Sequence, residues 1–317
     1  MRGPAAHRLA AGLALALLVA AAGASQLHAA AQHRPRYAVG LRVMRIVDPS
    51  REIRHGRGAP QPRTLVTSVW YPAAGPASRG DVARAAPASS AGPFPLVVFG
   101  HGFAVRPSTY RMLLHAWAEA GYVVAAPAFP RESPDAPGGP QRADVVNEPR
   151  DMSVVVSALL RASADRTDPL TGLIAADSIA VAGHSDGAMA ALAAAYGARL
   201  RDPRIRAAVI LSGARMAGVG GFAFRSGTPP LLAVQGTADG LNAPRSTDAY
   251  FTLAARPKYL LRLVGAGHLA PYVQPGPWLT LVTRMSIGFL DRYAGRVPGA
   301  RVPAPGADQR ATLVAAP

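Results

Sequence analysis

A chain of 317 residues, half of them apolar, is long enough for one large α/β domain or two small ones with a sizeable core. It has no cysteine, which excludes disulfides, thiolate nucleophiles and cysteine-based zinc sites and leaves serine to carry any covalent chemistry. The net charge of +16 comes almost wholly from arginine, Lys258 being the only lysine, and the excess is spread along the chain rather than gathered in runs. That is the pattern of a solvated basic surface, or of one that meets an anionic envelope polymer or membrane surface; no stretch resembles a nucleic-acid motif.

The first 31 residues read as a secretory signal peptide: Arg2 and Arg8 precede an apolar run over residues 9–24 that is short and Ala/Gly-rich for a membrane span. Small residues allow cleavage before Ser25 or before Gln32, and the location that follows is secreted or cell-envelope. An uncleaved N-terminal anchor is the competing reading. Next, "RYAVGLRVMRIVD" and "RTLVTSVWYP" have the composition of two antiparallel strands, and residues 73–95 have that of a flexible linker.

From there strand and helix alternate. "LVVFG", "YVVAAPAF", "SIAVAG", "AAVILSG", "LLAVQG" and "YLLRLVG" read as buried strands, and "YRMLLHAWAEAG", "EPRDMSVVVSALLRAS", "DGAMAALAAAYGARL" and "PWLTLVTRMSIGFLDRYAG" as helices. The alternation predicts an α/β fold with a mostly parallel central sheet and helices on both faces, in one domain over residues 35–296. Residues 297–317 are Pro/Ala-rich and are expected to be disordered. The stretch 211–230 is short and Gly-rich, which predicts no large helical lid.

"VAGHSDGAMA" sets Ser185 between Gly183 and Gly187, after a strand and before a helix. A serine hydroxyl needs exposure and a base to act as a nucleophile, and a sharp strand-to-helix turn flanked by glycines supplies the exposure. The competing reading of Ser185 is a helix cap. An acid and then a histidine, each in a loop after a strand, complete the pattern: "LLAVQGTADGL" presents Asp239 and "YLLRLVGAGHLAP" presents His268. A tetrahedral intermediate further needs two backbone N–H donors, one on Asp186 and one from the loop in "LVVFGHGFAV", for which Phe103 is the candidate.

With "HGF", "GHSDG", "GTAD" and "GAGH" in this order, residues 64–292 resemble the α/β-hydrolase superfamily, and more narrowly secreted lipase, cutinase-like and chlorophyllase or platelet-activating-factor acetylhydrolase-like esterases. The resemblance implies Ser185 as nucleophile, His268 as base, Asp239 as its orienting acid, the amides of Phe103 and Asp186 as oxyanion hole, and no cofactor or metal. It implies a secreted serine esterase acting on small-molecule or lipid esters, with an acyltransferase, a peptidase or a catalytically silent binding protein as alternatives. Asp186 departs from the methionine usual in polyester-degrading members, and "ILSGARM" lacks their substrate-clamping tryptophan. His101 and His184 are expected to be packed and hydrogen-bonded rather than metal-bound, and Asp144, Asp151, Asp202 and Asp248 to be surface or capping carboxylates.

Overall fold

The computed structural model describes residues 36–54, 58–295, 297–306 and 310–317. The leader expected over residues 1–31 lies outside them. From Arg36 onward the chain forms one compact unit.

Two long strands, β1 (Ala38–Ile53) and β2 (Gln61–Ala73), pair antiparallel, and β2 continues antiparallel onto β5 (Val123–Ala128). Beyond it the sheet is parallel: β5 pairs with β4 (Phe94–Gly100), which pairs in turn with β6 (Ile174–His184). β7 (Ile205–Leu211), β8 (Leu231–Gly236) and β9 (Lys258–Leu263) follow in order. The parallel strands are nearly unbroken apolar runs because both faces of the sheet are covered. On one face lie α2 (Glu148–Ala164), α3 (Asp186–Tyr196) and α4 (Pro244–Leu253), packed through Val155, Leu159, Leu192 and Tyr250. On the other lie α1 (Arg111–Glu119), the short α5 (Ala270–Val273) and α6 (Pro277–Tyr293), packed through Leu113, Trp117, Tyr272 and Phe289. This is the mostly parallel sheet with helices on both faces of the α/β-hydrolase fold, and residues 212–230 contain no helix. No helix among the described residues is long and apolar enough to cross a membrane.

Two expectations are corrected. The stretch 73–95 is fastened rather than flexible: its β3 (Asp81–Ala83) pairs parallel with β1, and Asp81 accepts a hydrogen bond from the indole of Trp70 at 3.1 Å and meets His115 at 2.5 Å. The tail is likewise ordered in part, because β10 (Ala311–Ala316) pairs antiparallel with β9 from Ala311↔Leu263 to Ala316↔Lys258. Without it β9 would present a bare edge of backbone donors and acceptors. Proline and alanine content measures local propensity, which an available sheet edge overrides.

Candidate active site

The site lies where β4, β6, β8 and β9 end. Ser185 follows the last residue of β6 and precedes α3, with φ +56° and ψ −119°, a region that a residue bearing a side chain adopts at a cost of about 1–3 kcal/mol. Its amide donates to the carbonyl of Leu211 at 3.1 Å, tying the turn to β7. The flanking glycines answer to close backbone approach. A Cβ on Gly183 would stand 2.2 Å from the carbonyl oxygen of Gly187, and one on Gly187 would stand 2.2 Å from the carbonyl of Gly100 at the end of β4. Only bare backbone lets α3 start this close to the two strands.

Ser185 Oγ lies 2.9 Å from Nε2 of His268, and His268 Nδ1 lies 2.8 Å from Oδ2 of Asp239. The ionised Asp239 accepts the proton on Nδ1, which leaves Nε2 free to accept from the serine hydroxyl. Asp239 is held on all sides. Oδ1 accepts from the amides of Leu241 at 3.0 Å and Asn242 at 2.9 Å, while Oδ2 also accepts from Gln235 Nε2 at 3.1 Å. Burial raises the Asp239 carboxyl, but the hydrogen bond from His268 and the Asn242 amide outweigh it and leave the group below its ordinary value.

A second chain of hydrogen bonds joins the three loops. The Gly102 amide donates to Tyr110 Oη at 3.2 Å, Tyr110 donates to His184 Nδ1 at 2.7 Å, and His184 Nε2 donates to the carbonyl of His268 at 2.8 Å. Burial, with the imidazole of His268 alongside, drives His184 down to about 3, and burial takes His101 down to about 4, so both are neutral. His101 Nε2 accepts from the Phe129 amide at 2.9 Å, so its proton sits on Nδ1 and is given to the Gly102 carbonyl, also at 2.9 Å. Both imidazoles therefore serve as rigid struts between loops.

Phe103 stands in the loop after β4, which passes so close to the serine that a Cβ on Gly102 would meet Ser185 Cβ at 3.2 Å. A cavity of about 370 Å³ opens beside Ser185 and His268, lined by Phe103, Val105, Arg142, Leu241 and Leu269. Asp186, the first residue of α3, is buried and accepts two hydrogen bonds from Arg142, Nε to Oδ2 at 2.7 Å and Nη2 to Oδ1 at 2.6 Å. Its side chain is thereby turned to a partner and placed where a helix start favours negative charge.

The carboxylates read as peripheral divide. Asp144 and Asp151 are buried and share the buried Arg63, and Asp202 is buried against Arg204, whereas Asp248 is at the surface with Arg262. Sequence reasoning also passed over Tyr110, Gln235, Arg142 and a buried pair, Glu132 and Glu148. Helical spacing held one signal, since Glu148 and Asp151 fall on the same face of α2 as Met152, Val155 and Leu159. Among the described residues no three or more histidine and carboxylate side chains group so as to hold a metal ion.

The sequence model of the chlorophyllase family matches residues 76–238, slightly more than half of the chain. The match takes in the Phe103 loop and Ser185 and stops one residue before Asp239. No curated protein matches the chain. Among solved structures, a ferulic acid esterase from Streptomyces cinnamoneus is similar in fold, with a TM-score of 0.63 and 21% identity over 89% of this chain and 97% of that one.

Proposed function

Because the chain belongs to the chlorophyllase family and is an ester hydrolase of α/β-hydrolase fold, we propose that it works as a serine esterase through Ser185, His268 and Asp239. Ser185 Oγ attacks the ester carbonyl carbon while His268 Nε2 takes the hydroxyl proton. The tetrahedral oxyanion is received by the amides of Phe103 and Asp186. As the carbon–oxygen bond to the alcohol breaks, His268 returns the proton to the leaving oxygen and an acyl-enzyme remains. Water, deprotonated by the same imidazole, attacks the acyl carbon; as the bond from that carbon to Oγ breaks, His268 returns the proton to Ser185 and the acid leaves. Asp239 keeps the imidazole in the tautomer these steps need and stabilises the imidazolium.

The observation that carries this reading is the approach of His268 Nε2 to within 2.9 Å of a hydroxyl held on a strained strand-to-helix turn. A fluorophosphonate probe should label the wild type and spare Ser185→Ala; equal labelling of the two would refute it. The open cavity, with no helix over residues 212–230 to cover it, favours esters of short to medium acyl length. Nitrophenyl esters from acetyl to palmitoyl test this, with highest kcat/KM on palmitoyl as the contrary result. The protein is further proposed to be exported with its leader removed, so mass spectrometry should find a mature start near Ser25 or Gln32 rather than Met1.

A further inference from the structure

Glu132, in the turn after β5, and Glu148, at the start of α2, are both fully buried and take no part in the steps above. None of their four carboxyl oxygens receives a hydrogen bond from any N–H or neighbouring hydroxyl among the described residues. The two carboxyls lie close enough together to alter each other's ionisation, Glu132 raising the cost of it for Glu148. Ionised together at this burial, they would repel; a shared proton makes one of them the donor that both lack.

Among the described residues, the nearby arginines are already committed elsewhere. Arg63 of β2 is committed to Asp144 and Asp151, Arg51 of β1 to Asp48 and Asp151, and Arg142 to Asp186. Asp186 of α3, Asp144 of the 3-10 segment Arg142–Asn147 and Asp151 of α2 add negative charge around the pair. Burial first, then Asp186, push Glu132 up to about 8, and burial with the facing Glu132 carries Glu148 well above its ordinary value.

The same turn supports the candidate oxyanion hole from both sides. The carbonyl of Glu132 accepts the amide of Ala104 at 2.9 Å, and Phe129 is tied to His101, so the 129–132 turn braces the loop that bears Phe103. The carboxyl of Glu132 meanwhile lies within electrostatic reach of Asp186 and Arg142, whose ion pair orients the start of α3. We propose that Glu132 and Glu148 form a proton-sharing pair of positioning residues that holds the Phe103 and Asp186 amides in register, so that losing the proton in alkaline solution spoils the hole and lowers turnover. The proposal rests on the reading of Ser185 as an esterase nucleophile. Deprotonation sets Glu132, Glu148 and Asp186 against one another. The strain is relieved by drawing Arg142 off Asp186 or by moving the 129–132 turn, and either displaces one donor.

The test is the pH profile of kcat and of KM on a soluble nitrophenyl ester for wild type, Glu132→Gln and Glu132→Ala. Glutamine supplies an N–H without titrating, so Glu132→Gln should move the alkaline fall in kcat upward by about one pH unit or more while KM stays level. Glu132→Ala should lower kcat by about tenfold across the range, since the carboxyl is lost and a cavity is left beside the turn that braces the Phe103 loop. Coincident kcat profiles for wild type and Glu132→Gln would overturn the proposal. Should the variants not fold, infrared difference spectra of the wild type decide: a buried carboxylic-acid carbonyl band at neutral pH that vanishes on alkaline titration is expected, and its absence refutes the pair. Fluorophosphonate labelling is run alongside. A labelled Ser185 with coincident profiles sinks the pair alone, whereas an unlabelled wild type sinks the esterase reading and the pair with it.

Discussion

At the scale of single residues, the candidate site owes its chemistry to which proton sits where. His268 accepts from Ser185 only while its Nδ1 proton is given to Asp239. Asp239→Asn keeps the size of the side chain but offers either oxygen or N–H to the imidazole, so the tautomer is no longer fixed. Turnover should fall on the order of a thousandfold or more, with KM little changed; near-normal turnover would mean that another group orients the histidine. Asp186 calls for the opposite outcome. Its amide is the proposed oxyanion donor and is common to every side chain, while its carboxylate faces a half-exposed Arg142 and the start of α3. Asp186→Asn should therefore lower stability by about 1 kcal/mol and leave turnover within about tenfold. A folded variant as inactive as Ser185→Ala would place the carboxylate in the reaction.

At the scale of elements, separate loops have to be held to a fraction of an ångström, and the Tyr110 hydroxyl joins three of them. It lies between the Gly102 amide of the β4 loop and His184, whose other nitrogen reaches the His268 loop. Burial raises the phenol well above its ordinary value, so it remains a donor at any working pH. Tyr110→Phe strands a buried amide and a buried imidazole nitrogen, which should cost about 1–3 kcal/mol. It should also lower kcat more than it changes KM, because the loop bearing Phe103 loosens. Thermal unfolding and steady-state kinetics on the same preparation check both halves; an unchanged melting temperature would show that the bridge holds nothing. Alternation of strand and helix could be read from the sequence, but this bridge could not. Tyr110 and His184 are 74 positions apart and meet only because β4 and β6 are neighbours in the sheet.

At the scale of the whole molecule, buried titratable groups set how stability responds to pH. His101 and His184 are depressed from the ordinary 6.5 to about 4 and about 3. Their contribution is present above pH 6.5 and lost as pH falls towards those values. Glu132 is raised from 4.5 to about 8, and Glu148 is raised too, so their contribution is full below pH 4.5 and lost as pH rises towards 8. Each proton is worth about 1.4 kcal/mol per pH unit. Between 4.5 and 6.5 the two histidines outweigh the one proton that the glutamates share, so stability should rise to a maximum near pH 6.5 and decline above it. Melting temperatures across that range test it, and a steady rise in stability from pH 5 to pH 8 would contradict it.

Features that depend on near neighbours in the chain can be read from the order of residues. Period and composition mark the strands and helices, while Gly183 and Gly187 around Ser185 mark the turn. The order serine, acid, histidine across successive strand ends marks the residues that the fold brings together. The tertiary structure alone decided what depends on groups far apart in the chain. β10 completes an edge strand although its flanks are Pro/Ala-rich, and β3 pins a stretch whose composition suggests a linker. Asp144 and Asp151 are buried because Arg63, more than eighty positions away, lies between them. Glu132 and Glu148, unremarkable as letters, are buried with no donor among the described residues reaching their carboxyl oxygens. A charged side chain reads as surface until its partner is known, and for these residues the partner is supplied by the packing of α2 and the β5 turn beneath α3.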